Sequence, residues 1–176
     1  VQVASESKAG ELTGEQMELY EKVRQEINRK ITIESVWKRF SDTGRIQALR
    51  CQWKEGMPNQ PHIFWDSDVA KWVEGAVYSL FHHSDEDLKA RIESIIDQLE
   101  AHQWEDGYLN SYYTTCEPEN RFTNRNNHEL YCAGHWIEAA VSYDQATGDS
   151  RFLKIIERYV ALIDRIFQQE DAAAFV

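Results

Sequence analysis

The stretch Trp72-Val73-Glu74-Gly75-Ala76-Val77 returns, 64 residues later, as Trp136-Ile137-Glu138-Ala139-Ala140-Val141. The same shift, without a gap, pairs Asp85 with Asp149, Leu88 with Phe152, Ile92 with Ile156, Glu93 with Glu157 and Ile96 with Val160. Seven of the 28 pairs from 72/136 to 99/163 are identical. Apolar residues in both copies recur every three or four positions, the period of an amphipathic helix. Each copy therefore reads as a helical hairpin. One such hairpin cannot bury its own apolar face, so copies stack into a solenoid or close into a ring. A unit of this length suits an all-α toroid, the (α/α)6 barrel, in which inner and outer helices alternate.

Working outward, the helices are predicted from about Asp66 to Phe81, from Ser84-Asp85-Glu86-Asp87 through Leu99, from a cap at Asn126 or Asn127 to about Ala146, and from a cap at Asp149 or Ser150 through Ile166. Gly148 suits the position just past the third. Upstream, residues 1–12 read as a polar tail. Thr13 with Gln16 forms a capping-box pattern before Met17, Tyr20, Val23 and Ile27. Ile33 to Phe40 is a shorter helix, and 41–63 reads as a long connection. The chain divides into 1–63, a tail with helices and connecting segment, and 64–176, two inner/outer hairpins of an incomplete barrel.

Composition narrows the function. The net charge is −11 and no Lys/Arg cluster is present, which disfavours a nucleic-acid surface. No apolar run is long enough to span a membrane. Cys51, Cys116 and Cys132 form no CxxC pair, and an odd count fits reduced thiols. The opening VQVASESKAGELTG lacks the pattern of a secretory signal, so a cytoplasmic location is expected.

Chemistry concentrates in 106–140. His128, Cys132, His135, Ala139 and Ser142 advance by four, three, four and three along one helix face. The repeat gives the first helix a matching line, Asp68, Lys71 and Gly75. Two such lines fit a shared lumen, or His135 packs as a satisfied core histidine and Cys132 as a small apolar residue. Asp66 and Asp68 open their helix at the end where His128 lies, placed to accept from ligand hydroxyls or to cap the helix. In the loop, Tyr108, Tyr112 and Tyr113 offer faces to a sugar ring or pack the loop, and Asn110 offers a donor and an acceptor. His128-Glu129-x-x-Cys132 departs from the HExxH zinc motif, and His128 and His135 are about 10 Å apart along the helix, too far to share an ion. No metal ligand and no catalytic residue is assigned within the chain.

Taken in order, Asp66-Ser67-Asp68-Val69-x-Lys71-Trp72-x-Glu74, Asp106-Gly107-Tyr108-Leu109, and His128-Glu129-Leu130-Tyr131 with Gly134-His135 and Ile137-Glu138-Ala139-Ala140 resemble the N-terminal part of glycoside hydrolase family 127. Its best-known members are β-L-arabinofuranosidases. The resemblance covers roughly residues 60–168 and implies a catalytic (α/α)6 barrel acting on carbohydrate. It further implies a zinc-bound cysteine nucleophile, a retaining mechanism and a glutamate acid/base, with zinc held by a glutamate and three cysteines. None of the three cysteines here matches those motifs, so the reacting groups and the rest of the barrel are expected outside this chain. His128 matches a histidine that contacts sugar in the −1 subsite. Asp66, Asp68, Tyr108 and His135 match motif positions, and with Asn110 they are read as lining the sugar pocket. A non-catalytic helical-repeat module binding sugar or protein is the alternative.

Overall fold

The computed structural model describes residues 13–168, so the predicted tail at 1–12 lies outside the described residues. Helix α1 (Gly14–Ile27) begins as its sequence predicts. Thr13 Oγ1 accepts from Gln16 N–H at 3.3 Å, and Gln16 Oε1 accepts from Thr13 N–H at 3.0 Å. One π-helical turn, Asn28–Thr32, carries the chain without a break into α2 (Ile33–Asp42). The wide turn adds about one residue to the helical path between the two. Ile33, Val36, Trp37 and Phe40 pack inward. Met17, Tyr20, Val23 and Ile27 of α1 are exposed. The segment read as a long connection contains a further short helix, α3 (Arg45–Ala48), which buries Ile46 and Ala48.

Two hairpins follow. The first is α4 (Trp65–His82) with α5 (Glu86–His102), and the second is α7 (Glu129–Thr147) with α8 (Arg151–Gln168). Asp85 Oδ1 caps α5 by accepting from Leu88 N–H at 3.0 Å, and Gly148 ends α7 in the left-handed conformation. Helix α4 makes its most extensive contact with α7. Phe64 meets His128, Lys71 meets Tyr131 and Tyr78 meets Ser142, so these two helices run parallel. Helices α5 and α8 back them. Val73, Ala76 and Val77 of α4, Ile92, Ile95 and Ile96 of α5, Trp136, Ala140 and Tyr143 of α7, and Phe152, Ile156 and Tyr159 of α8 form one core. Residues of α2 join it: Trp37 lies 4.7 Å from Trp72, whose indole N–H donates to Ile33 O at 3.0 Å. This is the inner/outer hairpin arrangement of an (α/α) barrel. Among the described residues no helix is long and apolar enough to cross a membrane.

The aromatic loop is more ordered than its sequence suggests. It contains α6 (Ser111–Cys116) and two 3₁₀ turns, Pro118–Asn120 and Arg125–Asn127. Gln103 fastens the loop's start by donating to Gly107 O at 2.9 Å and Ile155 O at 2.8 Å. Gly107 has φ +99, and a Cβ there would sit 2.4 Å from Arg158 O, so only glycine fits against α8.

The third predicted helix starts differently from its sequence reading. Neither Asn126 nor Asn127 caps α7. Its N-cap is His128, in the left-handed region at φ 62. Asn124 instead caps the preceding 3₁₀ turn by accepting from Asn126 N–H at 2.9 Å. The asparagine side chains are spent one turn early, which leaves the histidine at the junction.

Candidate functional site

Away from α5 and α8, α4 and α7 turn a polar seam outward. Helix α4 contributes Asp68, Lys71 and Gly75, the line its sequence predicts, and Tyr78 one turn further on. Helix α7 contributes Tyr131, Gly134, His135 and Glu138. The predicted α7 line is therefore off by about one residue. Cys132, Ala139 and Ser142 are buried, while Tyr131, Glu138 and Val141 are exposed. Small residues at 132, 139 and 142 serve the close approach of the two helices, not the open face.

His128 sits at the mouth of the seam. Its ring lies 4.4 Å from that of Phe64 and 5.8 Å from that of Tyr131. Its carbonyl accepts from Cys132 N–H at 2.9 Å, closing the first turn of α7. Its Nδ1 is buried without a hydrogen-bond partner in the protein. Buried ring nitrogens are ordinarily paired, so this one is an orphan. Left-handed backbone at a non-glycine residue stores local strain, and such strain concentrates at functional sites.

Deeper in, Tyr131 accepts from Lys71 Nζ at 2.7 Å, and the ammonium also lies 4.7 Å from the ring centre. The Tyr131 and His135 rings meet edge to face at 4.6 Å. His135 Nδ1 is 3.0 Å from Glu138 Oε2. Across the seam, Glu74 Oε1 accepts from the Tyr78 hydroxyl at 2.9 Å. On the flank, Asp68 is paired with Arg45 at 2.9 Å, and that guanidinium lies over Trp65 and Phe40.

The other three predicted site residues stand behind the seam. Asp66 is buried and takes no part in capping its helix. Its carboxylate accepts from Ser111 N–H at 2.9 Å and from the Ser111 hydroxyl, tying α4 to α6. Burial pushes its carboxyl above the usual range, against the pull of the Ser111 donors. Tyr108 is fully buried. Its hydroxyl donates to Glu129, and its ring stands edge to face with Trp104, Phe122 and Tyr159. Asn110 is the N-cap of α6, accepting from Tyr113 N–H at 3.0 Å. Asp68, His128 and His135 thus share the open face, while Asp66, Tyr108 and Asn110 hold the loop that frames it.

Sequence reasoning passes over Glu129. Its buried carboxylate accepts from Tyr108 and from Phe122 N–H at 2.7 Å, pinning the loop to the helix turn that carries His128. Burial raises its carboxyl too. Phe64, Tyr131, Glu74 and Glu138 are also absent from the predicted pocket. The repeat, which makes Glu74 and Glu138 equivalent, is the signal that points to the last two.

Chemically, the seam offers aromatic faces and hydrogen-bonding groups suited to a polyhydroxylated ligand. It does not offer a thiolate. Burial pushes the thiols of Cys51 and Cys132 up to about 12, so both stay protonated near neutral pH. Cys132 Sγ donates to Ile63 O at 3.3 Å. Among the described residues no cysteine belongs to a group of three potential metal ligands. A zinc-thiolate centre does not fit these cysteines.

Comparison with known proteins agrees with this geometry. The model for the β-L-arabinofuranosidase GH127 catalytic domain matches residues 18–174. A non-reducing end β-L-arabinofuranosidase of Bifidobacterium longum subsp. longum is 38% identical over 114 residues, which are 62% of this chain and 17% of that enzyme. The crystal structure of a GH127 β-L-arabinofuranosidase from Geobacillus stearothermophilus superposes with a TM-score of 0.78 at 36% identity, over 87% of this chain and 26% of that one. A second GH127 β-arabinofuranosidase gives 0.72 at 31% identity, over 81% and 24%. The chain spans about a quarter or less of these relatives. Its seam, its paired hairpins and a match running through nearly all of its helices make it a member of the GH127 β-L-arabinofuranosidase catalytic-domain family.

Proposed function

We propose that the complete protein is a retaining glycoside hydrolase that removes terminal β-L-arabinofuranosyl or closely related residues, and that this chain forms one wall of its sugar pocket. The observation that carries this reading is the orphan Nδ1 of His128, held between Phe64 and Tyr131 at the mouth of a polar seam. A sugar hydroxyl satisfies that nitrogen, and Phe64 or Tyr131 takes a C–H face of the ring. Asp68 and His135 line the same wall. Asp66, Tyr108 and Asn110 act behind it by fixing the loop. The nucleophile, the acid/base and the zinc ligands come from residues other than those of this chain, whose buried thiols are protonated.

The test is hydrolysis of p-nitrophenyl β-L-arabinofuranoside by the complete protein, with and without a chelator. Cleavage that the chelator abolishes is expected, together with no turnover by this chain alone. Absence of cleavage by the complete protein removes that substrate, and turnover by the chain alone removes the division of labour.

A further inference from the structure

The geometry points to a divalent-cation site in the seam, formed by Glu74 of α4 with His135 and Glu138 of α7. One ligand atom from each lies within 4.8 Å of the other two, the one such trio among the described residues. The site contains no cysteine.

The trio differs from an ordinary patch of surface acids. Its imidazole is held by the edge of Tyr131, its Nδ1 stands 3.0 Å from Glu138 Oε2, and its side chain is 21% exposed. Two carboxylates face one another across the helix contact because the repeat puts the same residue on both helices. The nearest lysine on α4, Lys71, directs its ammonium to the Tyr131 hydroxyl and ring instead. A divalent ion with a neutral imidazole balances both negative charges at once.

The donor set selects the ion. One nitrogen and two carboxylate oxygens suit Mn²⁺ or Zn²⁺, whereas Ca²⁺ asks for six to eight oxygens. A second ring of contacts is in place. Tyr78 donates to Glu74 Oε1 at 2.9 Å, orienting that carboxylate and leaving its other oxygen for the ion, and Tyr78 is itself 3.5 Å from Ser142 Oγ. Ligand atoms around an ion with bonds of about 2.1 Å stand roughly 3–3.5 Å apart. The trio closes that difference by a rotamer change of Glu138, whose exposed side chain exchanges its contact with His135 Nδ1 for the ion.

The experiment uses the 176-residue chain after EDTA treatment. Mn²⁺ is titrated in and the free ion followed by electron paramagnetic resonance, then Zn²⁺ is added as competitor. One equivalent of bound Mn²⁺, displaced by Zn²⁺, is expected. Glu74→Gln and Glu138→Gln should each weaken binding at least about tenfold, while His102→Gln, away from the seam, leaves it unchanged. Absence of saturable binding, or binding by either glutamate variant equal to that of the unchanged chain, overturns the site. A measurement free of variants stands beside it. Substoichiometric Mn²⁺ should broaden the ring signals of His135 before those of the other five histidines, and broadening elsewhere first overturns the site equally. Neither readout involves sugar, so either can fail while the glycosidase reading stands.

Discussion

Ser111 donates its backbone N–H to Asp66 Oδ2 at 2.9 Å across 45 positions of sequence, and with its hydroxyl it binds both oxygens of one buried carboxylate. Asp66 and Glu129 are the two acids that join the aromatic loop to the inner helices, and burial raises both above their free values of 3.8 and 4.5. The folded chain therefore holds these protons more tightly than the unfolded chain. Their contribution to stability is complete below the free values and is lost as pH rises through the raised ones. The slope is at most about 1.4 kcal/mol per pH unit for each group. The midpoint of urea unfolding should thus decrease as pH rises above these free values, and Asp66→Asn or Glu129→Gln should reduce that decrease. A steeper fall in either variant would show the sign to be wrong.

Glu129→Ala removes more than a titrating group. It strands the Tyr108 hydroxyl and Phe122 N–H, each buried. Unpaired buried donors cost about 1–3 kcal/mol each, so chemical denaturation should show a loss of at least about 2 kcal/mol. Hydrogen exchange should also speed up in residues 104–127. A loss confined to α7, with the loop still protected, would refute the role of Glu129 as the loop's anchor.

At His128, strain and recognition can be separated. Glycine accepts φ 62 freely, and its entropy cost of about 0.5–1 kcal/mol is offset by relief of about 1–2 kcal/mol. His128→Gly should leave the melting temperature of this chain nearly unchanged while weakening arabinoside binding by the complete protein. Unchanged kcat and KM in that variant would remove His128 from the pocket.

Two glycines should respond in opposite ways to alanine. Gly107→Ala drives a methyl group into Arg158 O at a positive φ and should destabilise by more than about 1 kcal/mol. Gly75 lies inside α4 with nothing near its missing Cβ, so Gly75→Ala should stabilise by about 0.5–1 kcal/mol. Thermal unfolding of both variants decides, and equal shifts in one direction would contradict the packing at the Gln103–Gly107 turn.

The thiols should differ in reactivity. Cys132 is buried and bonded to Ile63 O, and its thiol is pushed up to about 12. Cys116 is only partly covered. Alkylation at pH 8 in the native state should label Cys116 first and Cys132 last, as read by peptide mass. Early labelling of Cys132 would mean that the α4–α7 contact opens.

The hairpins were legible because helical period and repeat register are local signals. A tryptophan and a glutamate returning after 64 positions sufficed to place α4 and α7 side by side. The finer orientation of α7 was not legible. Cys132, Ala139 and Ser142 look like a lumen line, yet small size also permits close helix packing, and only the partner helix decides between the two. The buried roles of Asp66 and Tyr108 depend on contacts to Ser111 and Glu129 that form only once the loop folds back, while Asn110 is taken up locally as the cap of α6. Polar residues in a loop carry no mark that tells a ligand contact from an internal strut.

The π turn at Asn28–Thr32 has a consequence for how this family can vary. Because it lies between an exposed helix and a packed one, it uncouples the phase of α1 from that of α2. A one-residue insertion or deletion within it swings the outer rod around its axis while Ile33, Trp37 and Phe40 keep their places against the barrel wall. Helix α1 can thus be re-aimed without disturbing the core, and since Asn28 and Thr32 of the turn line one pocket with Asp68, Lys71 and Gly75, such a change also reaches the α4 side of the seam.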